Sequence, residues 1–318
     1  MNSKQTYRDL CKQRTDIPLF LQPWWLDATD MPWDVILYQA NNQILGVFVY
    51  SYCKKWGKTI ITQPTLTQYG GPFLFYPDGA SLEKQYSLQN KAYNYFIEQL
   101  EARKYHFIKQ TWHHSQQNWQ PFYWNGFTQT TRYTYVLKDI ANEEQIWQGM
   151  SHRKRQKNIA KTEGKLSVRY DMNVRDFYQF YVSTLQSKNE RIFYPFETLE
   201  KLFLAAKNQN QAIILSLYDE QDILHVALLI VWDETAAYNL IIAINPRFRG
   251  SGATSRIIWE AILFLKDKTK HYDFEGSMIQ GVALKNQSFG ALQLPYHQIQ
   301  KSHSKLYSLW HYLKTRGK

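Results

Sequence analysis

Residues 247–253 read Arg-Phe-Arg-Gly-Ser-Gly-Ala, directly after a strand-like apolar stretch (236–244) and directly before a helix-like one (251–268). Two glycines let backbone N–H groups turn toward one point, and a helix start adds partial positive charge there. Arg247 and Arg249 add full charges, so Arg247, Arg249, Gly250, Ser251, Gly252 and Ala253 are expected to hold the phosphates of an activated donor. A plain strand-to-helix turn with Ser251 as N-cap is the alternative. One helix later comes Lys285, four residues before Phe289-Gly290. An ammonium there can stabilise an oxyanion or a leaving group during group transfer; a solvated lysine on a helix face is the bland reading. Between loop and lysine lies Asp273-Phe274-Glu275-Gly276-Ser277. Asp273 and Glu275 alternate as on one face of a strand, where a carboxylate can take a proton from an attacking amine. Glu275, abutting Gly276, is the preferred base; Tyr238 and His225 are alternative acceptors, although a lone strand histidine is more often a packing residue. Either acid could instead anchor an arginine or cap the next helix.

The elements that must position these groups follow from periodicity. In the second half the pattern gives a helix at 143–163 ended by Gly164, a strand at 166–170 and helices at 174–187 and 196–208. Three consecutive strands follow at 212–218, 223–232 and 236–244, then a helix (251–268), a strand (271–274), a helix (279–289), a strand (297–300) and a helix (304–314). The first half gives a hairpin of 35–40 and 43–53 around Asn41-Asn42, a strand at 59–62, and a tight loop at Tyr69-Gly70-Gly71-Pro72. A helix at 82–103 and strands at 106–111 and 133–137 complete it. The helix has Tyr86, Leu88, Tyr93, Phe96, Ile97 and Leu100 on or near one face. Strands and helices mix in both halves, so the class is α/β (α+β), with domains drawn at 1–142 and 143–318.

The formal charge of the 318 residues is +11, unevenly spread. Residues 1–150 hold 14 Lys+Arg against 12 Asp+Glu, and residues 151–318 hold 24 against 15. A basic half suits a polyanionic ligand such as a nucleotide cofactor, a tRNA or a pyrophosphate-bearing lipid. Arg153, Lys157 and Lys161 are spaced by four and would form one stripe able to meet phosphates. Cys11 and Cys53 have no metal-ligand spacing, no metal is expected, and no base-reading motif is present. The polar first residues and the lack of a long apolar run lead to the expectation of a cytoplasmic protein.

The loop and its setting resemble the acyl-CoA pyrophosphate loop of the GNAT acetyltransferases. Over residues 144–300 the sequence more closely resembles the FemAB branch, the peptidoglycan interpeptide-bridge aminoacyltransferases and their relatives. The matching pieces are Ser151, Arg155, Ile159 and Lys161 with Gly164, the strand end Tyr272-Asp273-Phe274-Glu275-Gly276, and Gly281-Val282-Ala283-Leu284-Lys285 through Phe289-Gly290. Gly71-Pro72 and Trp24-Trp25 look like that family's first domain. The resemblance implies two tandem GNAT-like domains with a cleft between them, without the long helical arm of some relatives. It implies N-acyl transfer from acyl-CoA, or alternatively from aminoacyl-tRNA, to a small or peptidoglycan-precursor amine. A third alternative is a non-catalytic protein of this fold that grips a polyanion. Lys285 would be the charge-stabilising group where ordinary GNAT enzymes often hold a tyrosine. Trp24, Tyr69, Arg153 and Lys157 would contact substrate. The segment 304–314 is amphipathic, so docking on the domain is favoured and peripheral membrane contact is the alternative. The chain would act as a monomer or homodimer.

Overall fold

The computed structural model describes residues 2–304. In chain order the elements are α1 (Ser3–Gln13), a 3-10 turn (Leu19–Leu21), α2 (Pro23–Ala28), β1 (Trp33–Ala40), β2 (Gln43–Lys55), β3 (Lys58–Thr62), β4 (Gly71–Leu74), α3 (Leu82–Ala102), β5 (Phe107–Thr111), α4 (Gln120–Trp124) and β6 (Thr128–Leu137). Then come α5 (Glu143–Gly149), a π-helical turn (His152–Gln156), α6 (Lys157–Ala160), β7 (Ser167–Arg169), α7 (Val174–Gln186), α8 (Phe196–Asn208), β8 (Ala212–Tyr218), β9 (Leu224–Trp232) and β10 (Ala236–Ile244). A second 3-10 turn (Pro246–Phe248), α9 (Ala253–Leu265), β11 (His271–Asp273), α10 (Gln280–Gln287) and β12 (Leu292–Ser302) follow. The expected helix at 304–314 lies outside the described residues. The chain is mixed α/β and divides into two compact units, Met1–Arg132 with Pro295–Lys318, and Tyr133–Leu294.

In the first unit the strand order is β1-β2-β3-β5-β12-β6, with β4 also paired to β2. Asn41 and Asn42 both have positive φ (50° and 61°), the geometry of a hairpin turn whose twist matches its strands. Helix α3 buries Ala92, Tyr93, Phe96, Ile97 and Leu100, the stripe the spacing predicts; Tyr86, expected on it, is 56% exposed, one turn too early to reach the core. The stripe meets Phe48, Trp112, Phe122 and Ile299. The Gly70-Gly71 pair does more than turn the chain. Gly71 opens β4 at φ +87°, and a β-carbon on it would lie 2.6 Å from the Trp112 ring.

In the second unit the order is β6-β11-β10-β9-β8-β7, with β10 and β11 parallel and the other pairs antiparallel. The meander β8–β10 is buried along most of its length, which is why it reads as apolar runs and not as alternation. The expected helix at 143–163 is interrupted. Met150 is extended (ψ 146°), and Ser151 restarts the chain by accepting from the Lys154 N–H. The cause is tertiary: the Ser151 N–H donates to Ser288 O at 2.9 Å, tying this break to the end of α10. Gly290, at φ +81°, sits so close to this segment that a β-carbon would stand 2.7 Å from Gly149 O.

That contact makes a paired prediction. Gly290→Ala combines a left-handed backbone with a clash against rigid main chain, and should cost roughly 2 kcal/mol or more. Gly281→Ala, whose β-carbon meets nothing within 4 Å and which lies inside α10, should instead stabilise by about 0.5–1 kcal/mol. Urea denaturation of the two variants checks both signs.

Candidate functional site

The glycine loop stands where the sequence places it, between β10 and α9. It is held from several sides. Phe248 stacks on His225 at 3.7 Å, and the His225 ring lies 3.0 Å from the Asp219 carboxylate. His225 is therefore a packing residue here, not a free base. Asn245 Oδ1 accepts from the Arg247 N–H, and Asn245 Nδ2 donates to Leu224 O. Arg247 and Arg249 are exposed, Arg249 donating to Ser187 Oγ at 3.2 Å. Ser251 Oγ accepts from the Ala253 N–H, but the helix cap is Gly252, at φ +92°.

Gly252 serves close packing as well as turning. A β-carbon on it would collide with Asn158 O and lie 3.0 Å from Lys161 Cε. Lys161 Nζ donates to Gly250 O at 2.7 Å. The end of α6 thus packs against the first turn of α9 and brings a cation to a helix N-terminus, where the macrodipole is already positive. The four-residue stripe is corrected accordingly. The π turn breaks the α-helical repeat between Arg153 and Lys157, while Lys157 and Lys161 keep it; all three are exposed, and Lys161 reaches the loop.

Arg155, from the same turn, enters the site. Its Nη1 donates to Ser255 Oγ at 2.6 Å, and its guanidinium lies 5.0 Å from the centre of the Phe289 ring. Its Nε is buried without a partner. Lys285, in the middle of α10, has Arg155 and Lys188 as its charged neighbours. Burial first, then those two cations, push its ammonium down to about 8. Among the described residues no carboxylate lies within ion-pair distance of Arg155, Lys188 or Lys285. Three cations converge without a counter-charge beside the start of α9. Sequence reasoning did not assign Lys188 to the site, because it sits in the connection after α7 and only tertiary structure brings it near.

The acids occupy a different corner. Strand β11 ends at Asp273, and Glu275 lies beyond it at φ +53°, so the two do not alternate on a strand face as expected. The Glu275 N–H donates to Asp273 Oδ1 at 2.8 Å, and Thr134 Oγ1 donates to the same oxygen. This local hydrogen bond competes with strand continuation. Burial raises both carboxyls, Asp273 to about 6 and Glu275 well above its usual value, where the Asp273 charge adds to the shift. Glu275 Oε1 and the Tyr272 hydroxyl are buried without partners. Neither acid is a charge neighbour of Lys285. Tyr238 is 2% exposed and stands opposite Asp273 in the β10–β11 register.

Two further features bear on chemistry. Between Tyr238 and Ile241 the β10–β9 ladder slips, three steps on β10 answering two on β9. Such a bulge re-aims backbone groups in the middle of β10. Thr184 Oγ1 accepts from the Ile244 N–H and lies 3.1 Å from Ile244 O, fixing α7 to the end of β10. In the first unit, Trp25 is buried and donates to Thr67 Oγ1, Trp24 lies edge-on to it at 5.9 Å, and Tyr69 is buried between Phe20 and His113.

No protein-family model and no curated protein matches the sequence. Among solved structures the chain is similar to FemX, at a TM-score of 0.69 and 12% identity over 93% of this chain and 96% of that one. It is similar to a tandem GNAT protein from the clavulanic acid biosynthesis pathway, at 0.53 and 11% over 95% of each chain. L-PGS from Bacillus licheniformis matches at 0.51 and 10%, over 92% and 96%. The chain therefore has a tandem GNAT-like fold similar to that of FemX.

The buried acid pair yields a pH prediction. Asp273 is held above its unfolded value, so its contribution to stability is fully present below about pH 4 and is lost as pH rises through about 6. Asp273→Asn keeps an oxygen to accept from Thr134 and Glu275. It should melt higher than wild type at pH 7–8, with the gap closing toward pH 4, as thermal denaturation across that range would read.

Proposed function

We propose that the protein is an N-acyltransferase that moves an acyl group from an activated donor, acyl-CoA, to an amine. The observation that carries this reading is the convergence of Arg155, Lys188 and Lys285, without a carboxylate, beside the glycine loop and the α9 start. The amine nitrogen bonds to the acyl carbon, the carbon–sulfur bond breaks, and the amine gives up a proton as the thiolate gains one. Lys285, protonated at neutral pH with a pKa near 8, is suited to stabilise the oxyanion or to protonate the leaving group. Arg247, Arg249 and the amides of Gly250–Ala253 would hold the donor phosphates. Backbone groups at the β10 bulge would polarise the carbonyl. Glu275 or Tyr238 would accept the amine proton, through water if need be. Trp24, Tyr69, Arg153 and Lys157 would contact substrate.

An aminoacyl-tRNA ester is the second reading. The FemX likeness and the exposed cations of the π turn favour it, and the chemistry is the same with a carbon–oxygen bond breaking. A peptidoglycan-precursor amine would then be the acceptor. A cytoplasmic site of action suits either donor, and no helix among the described residues is long and apolar enough to cross a membrane.

Lys285→Met separates a functional lysine from a structural one. Its ammonium is held below the unfolded value, so its contribution to stability is present above about pH 10.5 and lost as pH falls through about 8. At pH 7 the variant should therefore melt higher than wild type while kcat falls about 10²- to 10³-fold. In the wild type, activity should be lost as pH rises through about 8. Turnover by the Met variant at the wild-type rate, with acyl-CoA and with charged tRNA each tried against an amine panel, would remove Lys285 from the mechanism. Binding of either donor without product would leave a non-enzyme.

A further inference from the structure

A cavity of about 560 Å³ lies in the Tyr133–Leu294 unit, away from the glycine loop. It sits where β8 begins and β9 ends, walled by Tyr170, Phe203, Leu204, Ile213, Trp232 and Phe264. Its size falls among those of small-molecule sites, roughly 300–1,000 Å³. The glycine loop stands at the opposite end of the sheet. Ile244, just before the loop, pairs with Val226 at the start of β9, whereas Trp232 at its end pairs with Ala237 at the start of β10. Helix α9 joins the two ends, with Ala253 at the loop and Phe264 at the cavity, about 16 Å apart along its axis.

The walls are largely rings. Tyr170 stacks on Phe264 at 5.5 Å, and Trp232 meets Phe264 edge-on at 6.0 Å. Phe203 and Trp232 are buried, but Tyr170 is 43% and Leu204 46% exposed, so the cavity keeps apolar surface within reach of a ligand. Two lysines enter it by the same spacing on two helices, Phe203 to Lys207 and Phe264 to Lys268. Their ammoniums lie 5.8 Å and 4.8 Å from those ring centres. A ring face attracts a cation without cancelling its charge. Neither lysine is ion-paired, although nearby Lys266 pairs with Glu143. The one carboxylate lining the cavity, Asp171, lies on the connection between β7 and α7 and forms an ion pair with neither. Ring walls reward a flat apolar body, and two unpaired ammoniums beside them reward a negative charge on it. We propose that this cavity binds a small aromatic acid, its ring against Tyr170, Leu204 and Phe264 and its carboxylate meeting Lys207 and Lys268. The assignment does not rest on the acyl-transfer reading, because none of these residues belongs to that site.

The test is calorimetric titration of the full chain with 2-naphthoate, its neutral amide 2-naphthamide, and the alkyl acid decanoate. 2-Naphthoate should bind about tenfold or more tightly than either of the others. Lys207→Gln and Lys268→Gln should each weaken its binding about threefold or more. Leu204→Glu, which sets a carboxylate in the wall, should weaken it about tenfold or more. All three positions are exposed, so these variants should melt as wild type does; if Leu204→Glu melts lower, the two lysine variants decide. Lys285→Met should bind 2-naphthoate as wild type does. The proposal is overturned if 2-naphthoate does not bind, or if the amide or decanoate binds as tightly. It is also overturned if both lysine variants bind as wild type does, or if Lys285→Met weakens binding as much as they do.

Discussion

The candidate site depends on one docking contact, the end of α10 against the break after α5. Gly290, which has no β-carbon to strike Gly149 O, allows the two backbones to approach, and the Ser151 N–H closes the gap on Ser288 O. Because the chain is extended at Met150, it restarts as a π turn, and that turn swings Arg155 onto Phe289 and toward Ser255. The same contact fixes α10, and with it Lys285. A continuous helix over 143–163 would have left Arg155 on a regular face with Ser151 and Ile159 as its neighbours. One hydrogen bond and one glycine thus convert a basic segment from a solvated stripe into one wall of a cation cluster.

The cluster and the acid pair are both expensive, in opposite senses. Desolvation and the neighbouring cations pull Lys285 down, while desolvation pushes Asp273 and Glu275 up and the Asp273 charge adds to the shift of Glu275. Buried opposite charges normally lower their cost by pairing, yet here the cations neighbour cations and the acids neighbour each other. A fold selected for stability alone would exchange these groups for apolar ones. Keeping the charges apart leaves each side able to take a proton or an anion from outside the protein, which is what acid–base and transfer chemistry require.

Much of this was legible in the sequence. The β8–β10 meander, the glycine loop and the following helix, and the α3 stripe all follow from periodicity and turn chemistry. Their positions are set by local preference and burial acting together. The misreadings fall where tertiary contact overrides local preference. The break at Met150 is paid for by Ser288, more than a hundred residues away in sequence. Glu275 leaves the strand because its amide has a better acceptor in Asp273 than a ladder partner. Lys188 follows α7, with no pattern to connect it to α10. Helix α1 escaped notice because only Tyr7 along it is buried.

The two glycines of the loop illustrate how a motif can be right in place and richer in cause. A β-carbon on Gly250 would meet nothing within 4 Å, so packing does not require glycine there. Gly252 is needed even without a ligand, because α6 rests on it. That packing delivers Lys161 to Gly250 O, at a helix start where a cation on its own is unfavourable. The balance improves when an anion sits among the amides, since the lysine and the macrodipole then act in the same direction. The packing of Gly252 therefore has an electrostatic consequence: it brings the positive charge that, on the proposed reading, a phosphate among the loop amides would share.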